Sequence, residues 1–324
     1  MNLSKPQLVE SVHKSYVNAG VDIIESNTFA ANRFRLAPHG LAEDLESINR
    51  KGVELARRAA GDKVYVAAAI GPLGLRIEPW GPTSVEEARE AFREQVEILN
   101  DAGVDLFILE TFSDLNEIHQ AMAAVSEIAP DKLLVAQMTV GHDGAGLYGT
   151  QVETIGGRLE QWGANIIGLN CSVGPETMLT AIEKLSSVIQ CKLSAQPNAG
   201  VPRSVHGRNI YMATPEYMAE YAKRFIAAGV RLLGGCCGTN PEHIKAMTNA
   251  VRALNPASSH RSLQESSLSS ARLSSARGSS ARGSSARGSK DSDSSATPIP
   301  MKEKSKIGKK LAQGDFVLTM ELTP

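Results

Sequence analysis

Long hydrophobic runs are missing from this chain. No stretch of its 324 residues is apolar for long enough to span a bilayer, and the opening Met1-Asn2-Leu3-Ser4-Lys5-Pro6 lacks the basic start and apolar centre of a signal peptide. No membrane association is expected. An excess of charge of either sign is also missing: 34 Lys and Arg face 35 Asp and Glu, so the net charge of -1 gives no bulk attraction to nucleic acid or to an anionic surface. Cysteine is scarce, and four residues without regular spacing exclude a secreted disulfide scaffold. The expected location is the cytoplasm. Aromatic residues make up 5% of the chain and are absent from 257–300, which removes the stacking platforms that RNA binding by the arginines of that stretch would need.

What the chain does contain is an alternation of two periodicities. Helical patterns over 4–19, 42–60, 84–102, 114–129, 150–162, 175–187, 215–228 and 241–254 are separated by apolar runs at 21–28, 64–70, 105–110, 133–139, 165–169, 191–196 and 231–234. Ser4 is a plausible cap for the first helix. Nearly continuous apolar strands alternating with helices define a parallel sheet covered on both faces. Seven strands and eight helices are one strand short of a (β/α)8 TIM barrel, and the first element is a helix, so the expected barrel lacks its first strand, which would precede Met1. Such a barrel would expose two unpaired strand edges, and the chain as written is expected to be poorly stable.

Three of the four cysteines sit where strands end. Cys171 follows the run Asn165 to Leu169, and Cys236 and Cys237 lie in Leu233-Gly234-Gly235-Cys236-Cys237-Gly238-Thr239-Asn240-Pro241. Neighbouring side chains on a strand point to opposite faces, so both thiols of the pair reach one ion only if the chain turns there. The flanking Gly234, Gly235 and Gly238 can take the positive φ of such a turn, and Thr239 or Asn240 can cap a helix opening at Pro241. Three thiolates around a tetrahedral zinc leave one position for an incoming ligand, the arrangement of a catalytic centre. Inert buried cysteines, or a strained disulfide between the adjacent pair, are the alternatives. Cys191 has no partner motif and reads as core.

Asn2-Leu3-Ser4-Lys5-Pro6, Ser26-Asn27-Thr28-Phe29-Ala30-Ala31-Asn32-Arg33, Glu110-Thr111-Phe112, Leu169-Asn170-Cys171 and Gly234-Gly235-Cys236-Cys237-Gly238-Thr239 together resemble the homocysteine S-methyltransferase domain, over Met1 to about Leu254. The resemblance implies that Cys171, Cys236 and Cys237 hold one zinc per chain and form the catalytic centre. A homocysteine thiol would take the open position and receive a methyl group from a small-molecule donor, forming methionine. It further implies that Glu110 receives the substrate's amino group, with Thr111, Asn27, Thr28, Asn170 and Asn198 as further substrate-binding candidates. For Asn27 and Thr28, satisfying loop backbone is an equally good reading. Transfer to another thiol or selenol, or a zinc barrel without catalytic function, are the alternatives. The family's Asp-Gly-x-x-Gly opening strand is absent, which points to a start at an internal methionine.

The domain organisation read from the sequence has three parts. Residues 1–256 form the methyltransferase barrel. Residues 257–300, rich in Ser, Ala, Arg and Gly and with Arg272, Arg277, Arg282 and Arg287 five apart, form a disordered, flexible linker. In 301–324, Gly314 to Pro324 resembles the opening strand of a methylenetetrahydrofolate reductase, with Glu321 at its active-site position. The expectation is a bifunctional protein whose FAD would belong to the remainder of that reductase domain, outside this chain. The methyl donor and the oligomeric state are not legible in the sequence.

Overall fold

The computed structural model describes residues 1–254, 300–313 and 315–319. In chain order the elements are helix α1 (Pro6–Ala19), strand β1 (Ile23–Glu25), a one-turn helix α2 (Arg33–Leu36), α3 (Leu45–Ala60), β2 (Tyr65–Ile70), α4 (Val85–Asp101), β3 (Leu106–Phe112) and α5 (Leu115–Ile128). Then come β4 (Leu133–Met138), α6 (Val152–Gln161), β5 (Ile166–Asn170), α7 (Pro175–Ser186), β6 (Lys192–Gln196) and an exposed antiparallel hairpin of β7 (Arg203–Val205) and β8 (Arg208–Ile210). The remainder is α8 (Pro215–Ala227), β9 (Val230–Leu233), α9 (Pro241–Leu254), α10 (Met301–Lys304), α11 (Lys306–Ala312) and β10 (Val317–Leu318). No helix among the described residues is long and apolar enough to cross a membrane.

Helix boundaries follow local chemistry. Pro6 opens α1 at its first position, and Lys5, not Ser4, precedes it without a capping side chain. Ser84 accepts from the Glu87 amide while the Glu87 carboxylate accepts from the Ser84 amide, a reciprocal cap that starts α4. At α9 the cap is Asn240, whose Oδ1 accepts from the amides of Glu242 and His243.

Eight strands form one parallel sheet in the order β1-β2-β3-β4-β5-β6-β9-β10. The eighth place, expected from a strand upstream of Met1, is held by β10. Val317 and Leu318 lie opposite Leu232 and Leu233 of β9. On the other side the Asp22 amide donates to Leu318 O at 2.9 Å, and the Leu318 amide donates to the Asp22 carboxylate at 3.2 Å. The two edges that the sequence left open are therefore engaged. The reason is generic: any short segment with free backbone groups, one inward apolar side chain and one outward can satisfy two strand edges.

Alternation along the strands sorts side chains into two cores. Outward residues such as Ile24, Val66, Phe107, Leu109, Ile167 and Leu233 pack against the helices. Inward residues Ile23, Ala67, Leu106, Ile108, Leu133, Val135, Ile166, Leu232 and Val317 fill the barrel, together with Ile307 and Leu311 of α11, which are fully buried. Residues 301–313 and 315–319, read from sequence as part of the opening of a second domain, here supply helix α11 and strand β10 to the barrel. Glu321 and all of the expected linker except Pro300 lie outside the described residues.

Two predictions follow from this packing. Truncating Leu311→Ala removes a side chain from the barrel interior and is expected to cost about 2–5 kcal/mol in urea unfolding of the full chain; a silent substitution would show that α11 does not occupy the barrel in solution. Glu117, 5% exposed at the start of α5, accepts from the Leu73 amide at 2.8 Å, and burial raises its carboxyl from 4.5 to about 7. A carboxyl whose folded pKa lies above its unfolded value holds its proton longer in the folded state. Folding is therefore opposed as pH rises from about 4.5 to about 7. Glu117→Gln is expected to leave stability unchanged at pH 4 and to raise it at pH 8, on the order of 2 kcal/mol, read from unfolding midpoints at the two pH values.

Candidate metal centre

The C-terminal ends of the strands open on one mouth, and above the apolar fill the inward-facing layer turns polar. Glu25 of β1, Glu110 of β3, Gln137 of β4, Asn170 of β5, Ser194 and Gln196 of β6 and Thr319 after β10 are all fully or almost fully buried. Small residues make room for them: a Cβ on Gly168 would lie 2.0 Å from Ser194 O, and one on Gly234 would lie 2.5 Å from Thr319 O.

The thiols sit directly above this layer. Cys171 follows β5, its amide donating to Gln196 O at 3.0 Å. Cys236 follows β9, its amide donating to Pro197 O at 3.0 Å, while Cys237 O accepts from the Ala199 amide at 2.9 Å. Three loops, after β5, β6 and β9, are thus tied by their backbones. The turn at the vicinal pair uses positive φ only at Gly238 (80°). Gly234 and Gly235 are required for space instead, since a Cβ on Gly235 would lie 2.6 Å from the Thr239 side chain. Thr111, Cys171 and Ser172 take φ of 61°, 59° and 61° without being glycine, so left-handed backbone strain collects at the site.

Cys171 Sγ and Cys237 Sγ are 3.7 Å apart, Cys236 Sγ and Cys237 Sγ 3.8 Å, and all three lie within 4.8 Å of one another. These are not disulfide distances, and no disulfide forms among the described residues. Zinc–sulfur bonds of about 2.3 Å in tetrahedral geometry place thiolates about 3.8 Å apart, so the donor set fits that ion. The proton distribution agrees with an anionic site. Hydrogen bonds from Cys171 and Cys236, joined by one from the Tyr211 hydroxyl, outweigh burial and pull the Cys237 thiol down to about 3. For Cys171 the bond with Cys236 lowers the pKa, but donation to Cys237, burial and the Cys237 charge push it up to about 11. Cys191 lies elsewhere, half-buried against the outer core, with its thiol on Ala164 O at 3.3 Å.

The other sequence candidates divide into two groups. Asn170 joins Glu110 and Thr111 to the thiols: its Oδ1 accepts from the Thr111 amide at 2.7 Å, and its Nδ2 donates to Thr111 Oγ1 at 2.8 Å and to Glu110 Oε2 at 3.5 Å. Asn198 is buried in the loop beside Cys237, with no partner on Oδ1 among the described residues. Asn27 and Thr28 form bonds away from the cluster. Asn27 Nδ2 donates to Asn2 Oδ1 at 2.8 Å, and Thr28 Oγ1 donates to Ala69 O at 2.8 Å. Sequence reasoning missed Glu25, Gln137 and Gln196. Their signal was a polar residue at an inward position near the end of each apolar strand.

This combination defines a class of protein: a (β/α)8 barrel with three convergent thiols at its C-terminal mouth, placed to hold a soft metal ion. The chain belongs to the homocysteine S-methyltransferase family, whose model matches residues 1–251. Curated relatives include methionine synthases of Mycobacterium leprae, 31% identical over 272 residues, and of Mycobacterium tuberculosis, 32% over 277. The matches take in 81% and 82% of this chain but 22% and 23% of those proteins, so the chain spans less than a quarter of their length. Among solved structures, the metallated form of the homocysteine methyltransferase MmuM from Escherichia coli superposes with a TM-score of 0.65. It is 26% identical and matches over 76% of this chain and 86% of that one. Its oxidized form gives the same TM-score at 27% identity.

Replacing Cys237→Ala removes the sulfur common to both short contacts. Metal content of protein purified under reducing conditions is expected to fall from about one zinc per chain to a small fraction of that, with the far-UV spectrum unchanged. Full zinc occupancy in the variant would overturn the three-sulfur assignment.

Proposed function

We propose that this chain carries out methyl transfer to the thiol of homocysteine, forming methionine, with Cys171, Cys236 and Cys237 holding one zinc. The single observation that carries the reading is the spacing of the three sulfurs at the barrel mouth, in a chain of this family. A free thiol with a pKa of about 8.5 is mostly protonated at neutral pH; zinc, when bound, supplies the positive charge that keeps it a thiolate and therefore a nucleophile.

The chain's own residues account for binding and orientation. Glu110, at the mouth end of β3, provides a carboxylate for the substrate ammonium. Asn170 ties the Glu110 and Thr111 side chains to the loop that bears Cys171, so carboxylate and thiol cluster keep a fixed separation. Asn198 offers a buried amide oxygen beside the cluster for the amino-acid part of the substrate. Thr111 holds its strained backbone through the Asn170 bond, which fixes the mouth of β3. These roles need a site kept reduced, in keeping with a cytoplasmic setting. We further propose, on the resemblance of Gly314 to Pro324 alone, that in a longer protein the barrel is joined to a flavin-dependent methylenetetrahydrofolate reductase.

The test is methionine formation by the zinc-loaded full chain from homocysteine and each of four donors: S-methylmethionine, betaine, methylfolate and methylcobalamin. Transfer from at least one is expected, abolished in Glu110→Gln at saturating donor. Zinc-loaded, folded protein that transfers from none of them would leave a binding barrel in place of an enzyme.

A further inference from the structure

The loops that follow β2 and β4 carry two large aromatic side chains to the mouth from either side of β3. Trp80 and Tyr148 meet there with ring centroids 5.0 Å apart and planes tilted by 30°. The contact does not bury them: Trp80 is 55% and Tyr148 57% exposed, so π surface of both rings remains open. Both positions are built rather than loose. The Trp80 amide donates to Ile77 O and the Glu78 amide to Thr83 O, each at 2.9 Å, which closes the first loop on itself. The second is closed by the Gly141 amide on Ala145 O and the Gly146 amide on Thr150 O, each at 2.8 Å. Tyr148 takes φ 63° and ψ 20° without being glycine, so its ring is held in place at a cost in backbone strain. Strain of this kind collects at ligand clamps.

Two adjoining cavities, of about 210 and 510 Å³, run along this side of the mouth and share Ser113, Gly146, Leu147 and Tyr148. The outer one ends on Trp80, and the inner one reaches Ser172, the residue after Cys171. Tyr148 lines both, so a group held on its ring stands in a groove that leads toward the thiols. Fixed charge along the groove is of one sign. Asp114 lines the outer cavity and Asp143, beside His142, the inner one. Their carboxylates accept from the Asn116 amide at 2.8 Å and the Ala145 amide at 3.1 Å. Among the described residues no Lys or Arg lines either cavity. Open aromatic faces and carboxylates together receive a cation, and a methylated onium centre leaves water more easily than an ammonium does. A donor whose net charge is negative finds no cationic partner along this groove.

We propose that the Trp80–Tyr148 pair binds the cationic centre of a sulfonium or quaternary ammonium methyl donor. The affinity of the pair for an onium ion is independent of the reading of the chain as a homocysteine methyltransferase; its role as the donor site rests on that reading. In transfer, an electron pair of the substrate thiolate forms the new S–CH3 bond. The pair of the broken bond stays on the donor atom, which becomes a neutral thioether sulfur or tertiary amine nitrogen. The onium charge is lost in that step, and with it the attraction to the rings, so a spent sulfonium donor leaves more readily than a fresh one.

Calorimetric titration of the zinc-loaded full chain tests the site without any turnover. Choline is compared with 3,3-dimethylbutan-1-ol, the same molecule with carbon in place of the charged nitrogen, and S-methylmethionine and betaine show which onium class is preferred. Choline is expected to bind about tenfold or more tightly than its neutral isostere, with that advantage lost in Trp80→Leu and largely kept in Trp80→Phe. Equal binding of the two, or no binding of any onium ligand, would overturn the proposal. In methionine-forming assays, Trp80→Leu and Tyr148→Leu are each expected to raise the donor KM about tenfold and to leave the homocysteine KM unchanged. An equal rise in both constants, with a lowered unfolding midpoint, would reduce the pair to a clasp between two loops. Transfer from methylfolate or methylcobalamin alone, without onium binding, would remove the site and leave the methyltransferase reading standing. Onium binding without methionine from any donor would sink that reading and keep the onium site.

Discussion

Closure of the parallel sheet is the constraint from which the site follows. A parallel strand leaves backbone donors and acceptors on both sides, and a buried edge without partners is costly, so eight strands around a ring solve a problem that seven do not. Closure also orients every strand the same way and brings all their C-terminal ends to one mouth. Cys171 and the Cys236–Cys237 pair are 65 residues or more apart in sequence and on strands separated by β6, yet their sulfurs lie 3.7 and 3.8 Å from Cys237 because the loops that carry them leave the same rim. In this chain the ring depends on Val317 and Leu318, and Thr319 one step on enters the polar layer through Glu25.

The barrel interior is divided by height. Its lower part is apolar and filled from below by Ile307 and Leu311, which makes it a rigid base. Its upper part is a network of carboxyl, amide and hydroxyl groups, buried and therefore expensive unless satisfied. Gln137, Gln196, Ser194 and Thr319 spend their hydrogen bonds on one another and on Glu25, and Asn170 spends its own on Glu110 and Thr111. Such a network has few alternative arrangements, so the Glu110 carboxyl is held in a fixed place relative to the thiols.

Much of the fold was legible because period-two and period-3.6 patterns separate cleanly here. The runs at 64–70, 133–139 and 191–196 became β2, β4 and β6 within a residue or so at either end, and Asn240 caps α9 as its position before Pro241 suggested. Errors fell where tertiary packing overrides local pattern. Ser4 stands one residue too early to cap a helix that Pro6 opens, and Gly234 is small because Thr319 crowds it rather than because its φ is positive. The hairpin of β7 and β8 carries no apolar alternation, being exposed throughout, and so left no signal.

The sequence by itself determined the class of fold and the identity of the three thiols, because strand periodicity, terminal glycines and cysteine are local features that survive without knowledge of neighbours. Only the tertiary structure decided what closes the barrel and what surrounds Glu110. A strand's partner is chosen by edge geometry rather than by sequence distance, which is how a segment beginning 46 residues after α9 comes to lie beside β1. Likewise Glu25 and Glu110, 85 positions apart on strands that are not neighbours in the ring, enter one buried polar layer that no linear pattern encodes. It exists because alternation points both inward at the same height.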